Sequence, residues 1–321
     1  MEFIMRLIKL VIISIIFVLT LISNANGFIR PEDFGARVND NIDDTEALQQ
    51  ALNAAAAQTW SLGGGTVVLS PGVYTLNHPP LRITGTVTLV GTKMSVIEIP
   101  AGLEDTALII DTKQACYVSK IWFRIWPRYD RLSPDIAGIE VKSGNAYSVF
   151  NDLQISGFGS GIHFVNAHGY KIDHCYIVCN WYYGVWIENR DMPDANDSTI
   201  TASVFDSDSD ESVAAVYQEA GGGLRLVNNK ILRHQYGYMM KLRPDVTTSI
   251  LIINSNSIEG QIKKSVYIDT SQGKFDCIII TGNQLNCGID IKGNAEDPMK
   301  NIIIGNNVIH GTTSMQNVKV K

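Results

Sequence analysis

A short phrase recurs from about residue 138 to the end of the chain. It reads Gly-Ile-Glu-Val at 138–141, Gly-Ile-His-Phe at 161–164, Gly-Val-Trp-Ile at 184–187, Gly-Tyr-Met-Met at 237–240, Ser-Val-Tyr-Ile at 265–268 and Gly-Ile-Asp-Ile at 288–291. A second phrase, an apolar residue with a small or amide residue two places before it, precedes most copies. Its members are Asn151/Leu153, Cys175/Ile177, Ala202/Val204, Asn229/Ile231, Asn256/Ile258, Asn283/Leu285 and Asn306/Val308, and the apolar residues are spaced by 24, 27, 27, 27, 27 and 23. A period in the twenties built from short runs means a solenoid in which each repeat is one coil. The phrases alternate apolar and variable residues, as a strand with one buried face does. Runs such as Ile250–Ile253, Ile278–Ile280 and Ile302–Ile304 are β-branched and bounded by Asn, Gly or Ser. The expected fold is therefore all-β, a single-stranded parallel β-helix. Asn229, Asn256, Asn283 and Asn306 are expected to stack as a structural ladder at one corner, because Asn both hydrogen-bonds along a stack and tolerates left-handed backbone.

The start of the chain sets the expected compartment. Arg6 and Lys9 precede an apolar run from Leu10 to Leu19 that extends to Ile22, and Ser23-Asn24-Ala25 follows as a cleavage site. Residues 1–25 thus read as a secretory signal peptide, with an uncleaved membrane anchor as the alternative. The mature protein is expected outside the cytoplasm: extracellular, periplasmic or at the cell surface. Residues 26–321 form one domain, with 28–100 supplying a cap and first coils and 101–321 the regular coils. The formal charge of −6 becomes −7 without residues 1–25, which argues against nucleic acid as a partner. Five cysteines at irregular spacing read as buried apolar residues, with a Cys277–Cys287 bridge as the other option.

Before the repeats, Asp43 followed by Glu46 reads as a capping box, and apolar residues at 47, 48, 51, 52 and 55 form one face of a helix ending near Gln58. A solenoid exposes core at its ends, so this helix is the expected N-terminal cap. The phrases Asp33-Phe34-Gly35-Ala36, Asp43-Asp44-Thr45, Gly64-Gly65-Thr66-Val67 and Pro71-Gly72-Val73-Tyr74 occur in order. Together they resemble the opening of the pectate-lyase-superfamily domain, shared by rhamnogalacturonase- and epimerase-like proteins and by many phage tailspikes. The resemblance covers about residues 28–100, and implies a right-handed β-helix and a polysaccharide ligand. It carries over no catalytic residue. The Asn-Thr-Asp, Asp-Asp, Gly-His-Gly and Arg-x-Lys sets of polygalacturonases are absent from the coils, and Asp43-Asp44 lies in the cap. Ile172-Asp173-His174 is similar to a pectate-lyase phrase whose Arg-Pro partner motif is missing; Arg243-Pro244 is the nearest approach.

Strand alternation then gives a site map. If Ile162 and Phe164 point inward, the outward column is Glu140, His163, Trp186, Ala214, Met239, Tyr267 and Asp290. Its neighbour is Lys142, Val165, Glu188, Val216, Lys241, Asp269 and Lys292. One cluster joins His163, Trp186, Glu188, Tyr182, Tyr183 and Glu140: aromatic bodies for sugar C–H faces beside a carboxylate and an imidazole. A second joins Tyr267, Asp269, Asp290 and Lys292, with the Asp269 and Asp290 Cα atoms expected roughly 8 Å apart, a separation compatible with a glycosidase carboxylate pair. The dense acidic runs 189–198 and 206–211 could bind Ca²⁺, with Asp206, Asp208 and Asp210 as ligands; the ordinary reading is a solvated loop, and no cofactor is required.

The expected function is cleavage of an extracellular polysaccharide. Hydrolysis would use Glu188 with His163 or Glu140, or Asp269 with Asp290. β-Elimination would instead use Lys241 or Arg243 as the base. Carboxylates outnumber basic groups on the face, which favours hydrolysis. The alternative is a non-catalytic polysaccharide-binding or adhesion module using the same aromatic face. A second copy of the chain could cover the last coil.

Overall fold

The computed structural model describes residues 27–58, 64–127, 131–142, 144–189, 191, 197–208, 211–244, 246–248, 250–260 and 263–320. The proposed signal segment, Asp194 and Asp210 therefore lie outside the described residues. The chain winds as a parallel β-solenoid of about nine turns with one N-terminal helix. Each regular coil gives one strand to a ten-stranded sheet and two short strands to a nineteen-stranded sheet. The pattern is clear in the coil that runs Ala137–Lys142, Val149–Asn151, Gln154–Ser156. The next coil repeats it with Ser160–Phe164, Lys171–Asp173 and Tyr176–Val178, every strand parallel to its predecessor.

The repeated phrase lines up as the period requires. Ile139, Ile162, Val185, Val216, Tyr238, Val266 and Ile289 form one inward column, and all are fully buried. Each such side chain is stabilised by about 1.5–3 kcal/mol relative to exposure, so the columns fix the register. A one-residue slip would turn the whole set to solvent.

Between the two short strands of each coil lies a two-residue corner whose first residue has left-handed backbone: Asp152, His174, Ala202, Asn228, Ser255, Gly282 and Asn306. The second residue is the ladder position. Oδ1 of Asn256 accepts from the backbone N–H of Asn229 at 2.9 Å and from its Nδ2 at 3.0 Å. Asn283 does the same for Asn256, and Asn307 for Asn283. The ladder thus ends on Asn307, not Asn306. Asn306 takes the left-handed corner with φ 54°, and the apolar residue two places after the ladder position is Ile309 rather than Val308. All five cysteines are free, so the Cys277–Cys287 bridge is absent.

The cap helix spans Thr45–Ala56, and Ala47, Leu48, Ala51, Leu52 and Ala55 are buried against the first coils. Gly65 permits this docking, because a Cβ there would sit 2.6 Å from the Cα of Ala55. The capping box is not formed as expected. The N-cap residue is Asp44, and its carboxylate accepts from the N–H groups of Arg37 at 2.8 Å and Thr75 at 3.1 Å, tying the helix to the first coil. Burial raises the Asp44 pKa despite those two bonds. Asp43 accepts from Thr45 and Asn77 instead. Among the described residues no helix is long and apolar enough to cross a membrane.

Candidate functional site

Strand pairing in the ten-stranded sheet places Glu140, His163 and Trp186 side by side on successive coils. The next member is Tyr217, followed by Met239, Tyr267 and Asp290. Ala214 and Val216 are therefore not the outward residues of that coil; both are completely buried. Gln218 explains the shift. It occupies the inward column between Ile187 and Met240, where an apolar residue is expected, so alternation read from sequence slips at this coil. Its amide is satisfied internally: Oε1 accepts from Tyr238 Oη at 2.6 Å, and Nε2 donates to the carbonyls of Ala220 and Gly221. Once the register is corrected, Tyr217 joins the aromatic column and Glu219 joins Glu188, because Glu219 follows the strand Ala214–Gln218 as Glu188 follows Tyr183–Ile187.

The first expected cluster assembles around these residues. The His163 and Trp186 rings stack with centroids 4.0 Å apart and planes within 5°. Tyr183 stacks on Tyr217 at 4.8 Å and lies 5.5 Å from Trp186. His163 Nε2 donates to Glu188 Oε2 at 3.1 Å, and Arg243 Nη2 donates to Glu188 Oε1 at 2.8 Å. Glu219 Oε1 accepts from Trp186 Nε1 at 3.0 Å, while Oε2 accepts from Arg243 Nε at 2.6 Å and also contacts Nη2. One guanidinium nitrogen therefore touches both carboxylates. Two ordinary hydrogen bonds from one nitrogen put their acceptor oxygens roughly 5 Å apart.

Electrostatics follow from that packing. Burial opposes the charge on Arg243, but the bonds to Glu219 and Glu188 outweigh it and raise the guanidinium pKa. Arg243 is thus a poor base for β-elimination. Burial, reinforced by the Glu219 charge, pushes the Tyr183 phenol up to about 12 and raises that of Tyr217 as well. Glu188 and His163 are each 3% exposed, so a position outside the solenoid wall is not the same as contact with solvent. Arg243 and Glu219 are the more open members, with side chains 29% and 14% exposed.

The other sequence-derived residues sit as follows. Glu140 lies one coil from His163 and pairs with Lys142 at 3.0 Å. Tyr182 lies at the edge of the cluster, its ring 6.3 Å from that of Tyr183 and its hydroxyl accepting from Arg131 Nε at 2.8 Å. Lys241 is exposed and registers with Asp269. In the second cluster Asp269 accepts from Tyr267 Oη at 3.2 Å and pairs with Lys292 at 3.5 Å, whereas Asp290 accepts from Ser314 at 2.5 Å. Register sets Asp290 beside Tyr267 and Lys292 beside Asp269, so the two aspartates are diagonal and each is bound to its own partners. Burial works against ionised Asp269, but Ser271, Lys292 and Tyr267 together lower its pKa. In the acidic run 206–211, Asp206 is held by both Arg233 Nε at 2.7 Å and Nη2 at 2.5 Å, and Asp210 lies outside the described residues. Among the described residues no group of three or more His, Cys, Asp or Glu could hold an ion.

Residues 28–124 match the family model for rhamnogalacturonase A/epimerase, pectate lyase-like proteins, and residues 135–245 match the model for a right handed beta helix region. The chain carries a pectate-lyase-like domain running into a right-handed β-helix. No curated protein sequence matches it. Among solved structures, the β-helix chain is similar to the catalytic unit of the thermostable GH87 α-1,3-glucanase from Streptomyces thermodiastaticus strain HF3-3. That pair has 14% identity and a TM-score of 0.63, over 92% of this chain and 56% of the glucanase chain. It is also similar to DFA-IIIase from Arthrobacter chlorophenolicus A6, at 13% identity and a TM-score of 0.56 over 89% of this chain and 86% of that one. A third is the Streptococcus pneumoniae surface protein and adhesin PfbA, at 13% identity and 0.51, over 91% and 96%. The pectate-lyase-like chain spans little more than half of the glucanase unit, and at these identities the likeness establishes the fold alone.

Proposed function

We propose that this β-helix hydrolyses a polysaccharide on the ten-stranded sheet, with Glu188 and Glu219 as its carboxylate pair. The observation that carries the reading is the meeting of these two carboxylates, from neighbouring coils, on one nitrogen of Arg243 beside the rings of Trp186, Tyr183 and Tyr217. A separation of roughly 5 Å is the spacing of retaining glycosidases. Glu188, held by His163 and Arg243, is placed as the anion that attacks or stabilises the anomeric carbon. Glu219 is the more open residue, and once Arg243 moves aside it loses both guanidinium contacts and keeps the neutral indole of Trp186, so delivery of a proton to the leaving oxygen falls to it. The sugar has to reach between them, which makes Arg243 the side chain that must yield. Tyr183 and Tyr217 offer flat apolar surface to sugar C–H faces. The DFA-IIIase and glucanase likenesses support a carbohydrate-active reading of the fold.

The test is release of reducing ends from a panel of extracellular polysaccharides, with the ultraviolet absorbance of unsaturated uronates followed in parallel. Glu188→Gln and Glu219→Gln are each expected to lower turnover by at least about a hundredfold, with retention of anomeric configuration in the parent protein. Unsaturated products, or turnover untouched by both substitutions, would overturn the assignment. A second reading, polysaccharide binding without cleavage, is favoured by one observation: all four oxygens of the pair already accept hydrogen bonds. Retention on a glycan that is never cut, lost in Tyr183→Ala/Tyr217→Ala, would select it.

A further inference from the structure

The nineteen-stranded sheet carries its own groove, on a different wall of the solenoid from the carboxylate pair. It has a volume of about 570 Å³ and is lined by Asn39, Val73, Met94, Trp122, Arg124 and Gln154, with Lys93 at its rim. Strand register gives it a direction. Val73 pairs with Val96, Val96 with Trp122, Trp122 with Gln154 and Gln154 with Tyr176. That column runs along the solenoid axis through five coils, and at roughly 4.8 Å per coil it is about 19 Å long. Trp122, Gln154 and Tyr176 all lie next to an inward-facing residue on their strands and so face outward. Tyr176 is 44% exposed.

The groove is built rather than incidental. Trp122 Nε1 donates to Ser156 Oγ at 3.0 Å, and the Arg124 guanidinium sits 4.5 Å from the indole centroid, so the ring is fixed in plane and tilt. Arg124 is held in turn by Glu98 at 2.6 Å. Five residues, 91–95, stand where the next coils turn with two, and the register shifts across them. This longer corner lifts Lys93 and Met94 beside the groove; Met94 is 71% exposed. An indole and a phenol about 10 Å apart, with an amide between them, match a ligand that repeats an apolar face and a polar edge along a line. A pyranose chain has that repeat. The Lys93 ammonium at one end adds a preference for a sugar carboxylate, on a protein whose net charge is −6.

We infer that this column is a second glycan-binding site, which holds a uronate-bearing chain parallel to the solenoid axis while the carboxylate pair works on another wall. The inference rests on the carbohydrate-active reading of the protein but not on its catalysis. The test is calorimetric titration of the full chain with hexagalacturonate and with a neutral glucan hexamer. It is run in the parent and in the Tyr183→Ala/Tyr217→Ala background, where the ten-stranded face is disabled. Binding of hexagalacturonate is expected to survive in that background. Tyr176→Ala and Trp122→Phe should each weaken it about fivefold to tenfold, Lys93→Ala should weaken it further as salt is lowered, and the neutral hexamer should bind less tightly. Tyr176 is a surface residue, so its variant keeps the test meaningful if Trp122→Phe is poorly folded. Unchanged affinity in Tyr176→Ala, equal affinity for the neutral hexamer, or a groove closed by self-association that Tyr176→Ala abolishes would each overturn the inference. Loss of turnover in Glu188→Gln with this binding intact would leave it standing.

Discussion

Replacing Arg243 by Met tests whether its guanidinium is what allows two carboxylates to share one place on the wall. The substitution keeps the aliphatic stem and removes the bonds to Glu188 Oε1 at 2.8 Å and Glu219 Oε2 at 2.6 Å. Glu188 is 3% exposed and keeps its bond to His163. Breaking a buried ion pair from one side costs about 3–5 kcal/mol. The Arg243 side chain is 29% exposed, and solvent screening on that side brings the expected cost to about 2–4 kcal/mol. With the cation gone, the two carboxylates face each other without a counter-charge. Adding Glu219→Gln should recover at least about 1 kcal/mol at neutral pH, because the two sites are in contact and their effects do not add. Urea unfolding of the four proteins of that cycle measures both the cost and the recovery. A cost below about 1 kcal/mol, or no recovery on adding Glu219→Gln, would show that the pair does not depend on Arg243.

Further outcomes follow from the ladder and the second aspartate cluster. Asn256→Ala strips two donors of their acceptor and leaves the carbonyls of Leu226 and Asn254 without its amide; in denaturant unfolding it should cost about 3 kcal/mol, against about 1 for the half-buried Asn307→Ala. Equal costs would mean that stacking contributes nothing beyond the corner itself. Asp269 has its pKa lowered in the folded state, so its contribution is present above the ordinary 3.8 and is lost as pH falls through the lowered value. Asp269→Asn should therefore flatten the acid limb of a stability–pH curve by under about 1 kcal/mol, and a curve parallel to that of the parent would refute the role given to Ser271, Lys292 and Tyr267. Asp44→Ala removes the acceptor for two backbone N–H groups, of Arg37 and Thr75. Hydrogen exchange should then rise first in the helix Thr45–Ala56 and the first coil, while the coils beyond Ala137 stay protected, because a solenoid is stabilised neighbour by neighbour.

The period of the repeat was enough to set most of the architecture, since a residue's inward or outward direction follows from alternation once coils are stacked. His163, Trp186 and Glu188 do meet, and the register matches the phrases Gly-Ile-His-Phe and Gly-Val-Trp-Ile. The coil between them and Met239 was not legible for a specific reason. Val216-Tyr217-Gln218 has the spacing of Val185-Trp186-Ile187, but a buried Gln in the third place disguises the match, and what conceals it is a hydrogen bond to Tyr238 three-dimensionally adjacent but 20 residues away. Tyr217 and Glu219 were missed for that reason alone. The same kind of error moved Asn306 onto the ladder, because adjacent asparagines at 306 and 307 serve different needs, one conformational and one for hydrogen bonding.

The deeper gap lies between direction and environment. Alternation says that Glu188 leaves the wall of the solenoid; it does not say that His163, Arg243 and the rings beside it will close over the carboxylate. Arg243 comes from two coils further on and lies beyond its strand Tyr236–Lys241, in a corner with no repeat to place it. Corners are where coils differ in length, so the residues that set charge and access at this wall are the ones periodicity constrains least. That asymmetry carries a consequence for reading similar chains. The strands of a β-helix reveal which side chains can meet across coils, while pairing such as Glu188–Arg243–Glu219 depends on what the corners send back over the sheet. A carboxylate column found from sequence is therefore a place to look for a partner cation before it is taken as an exposed acid and base.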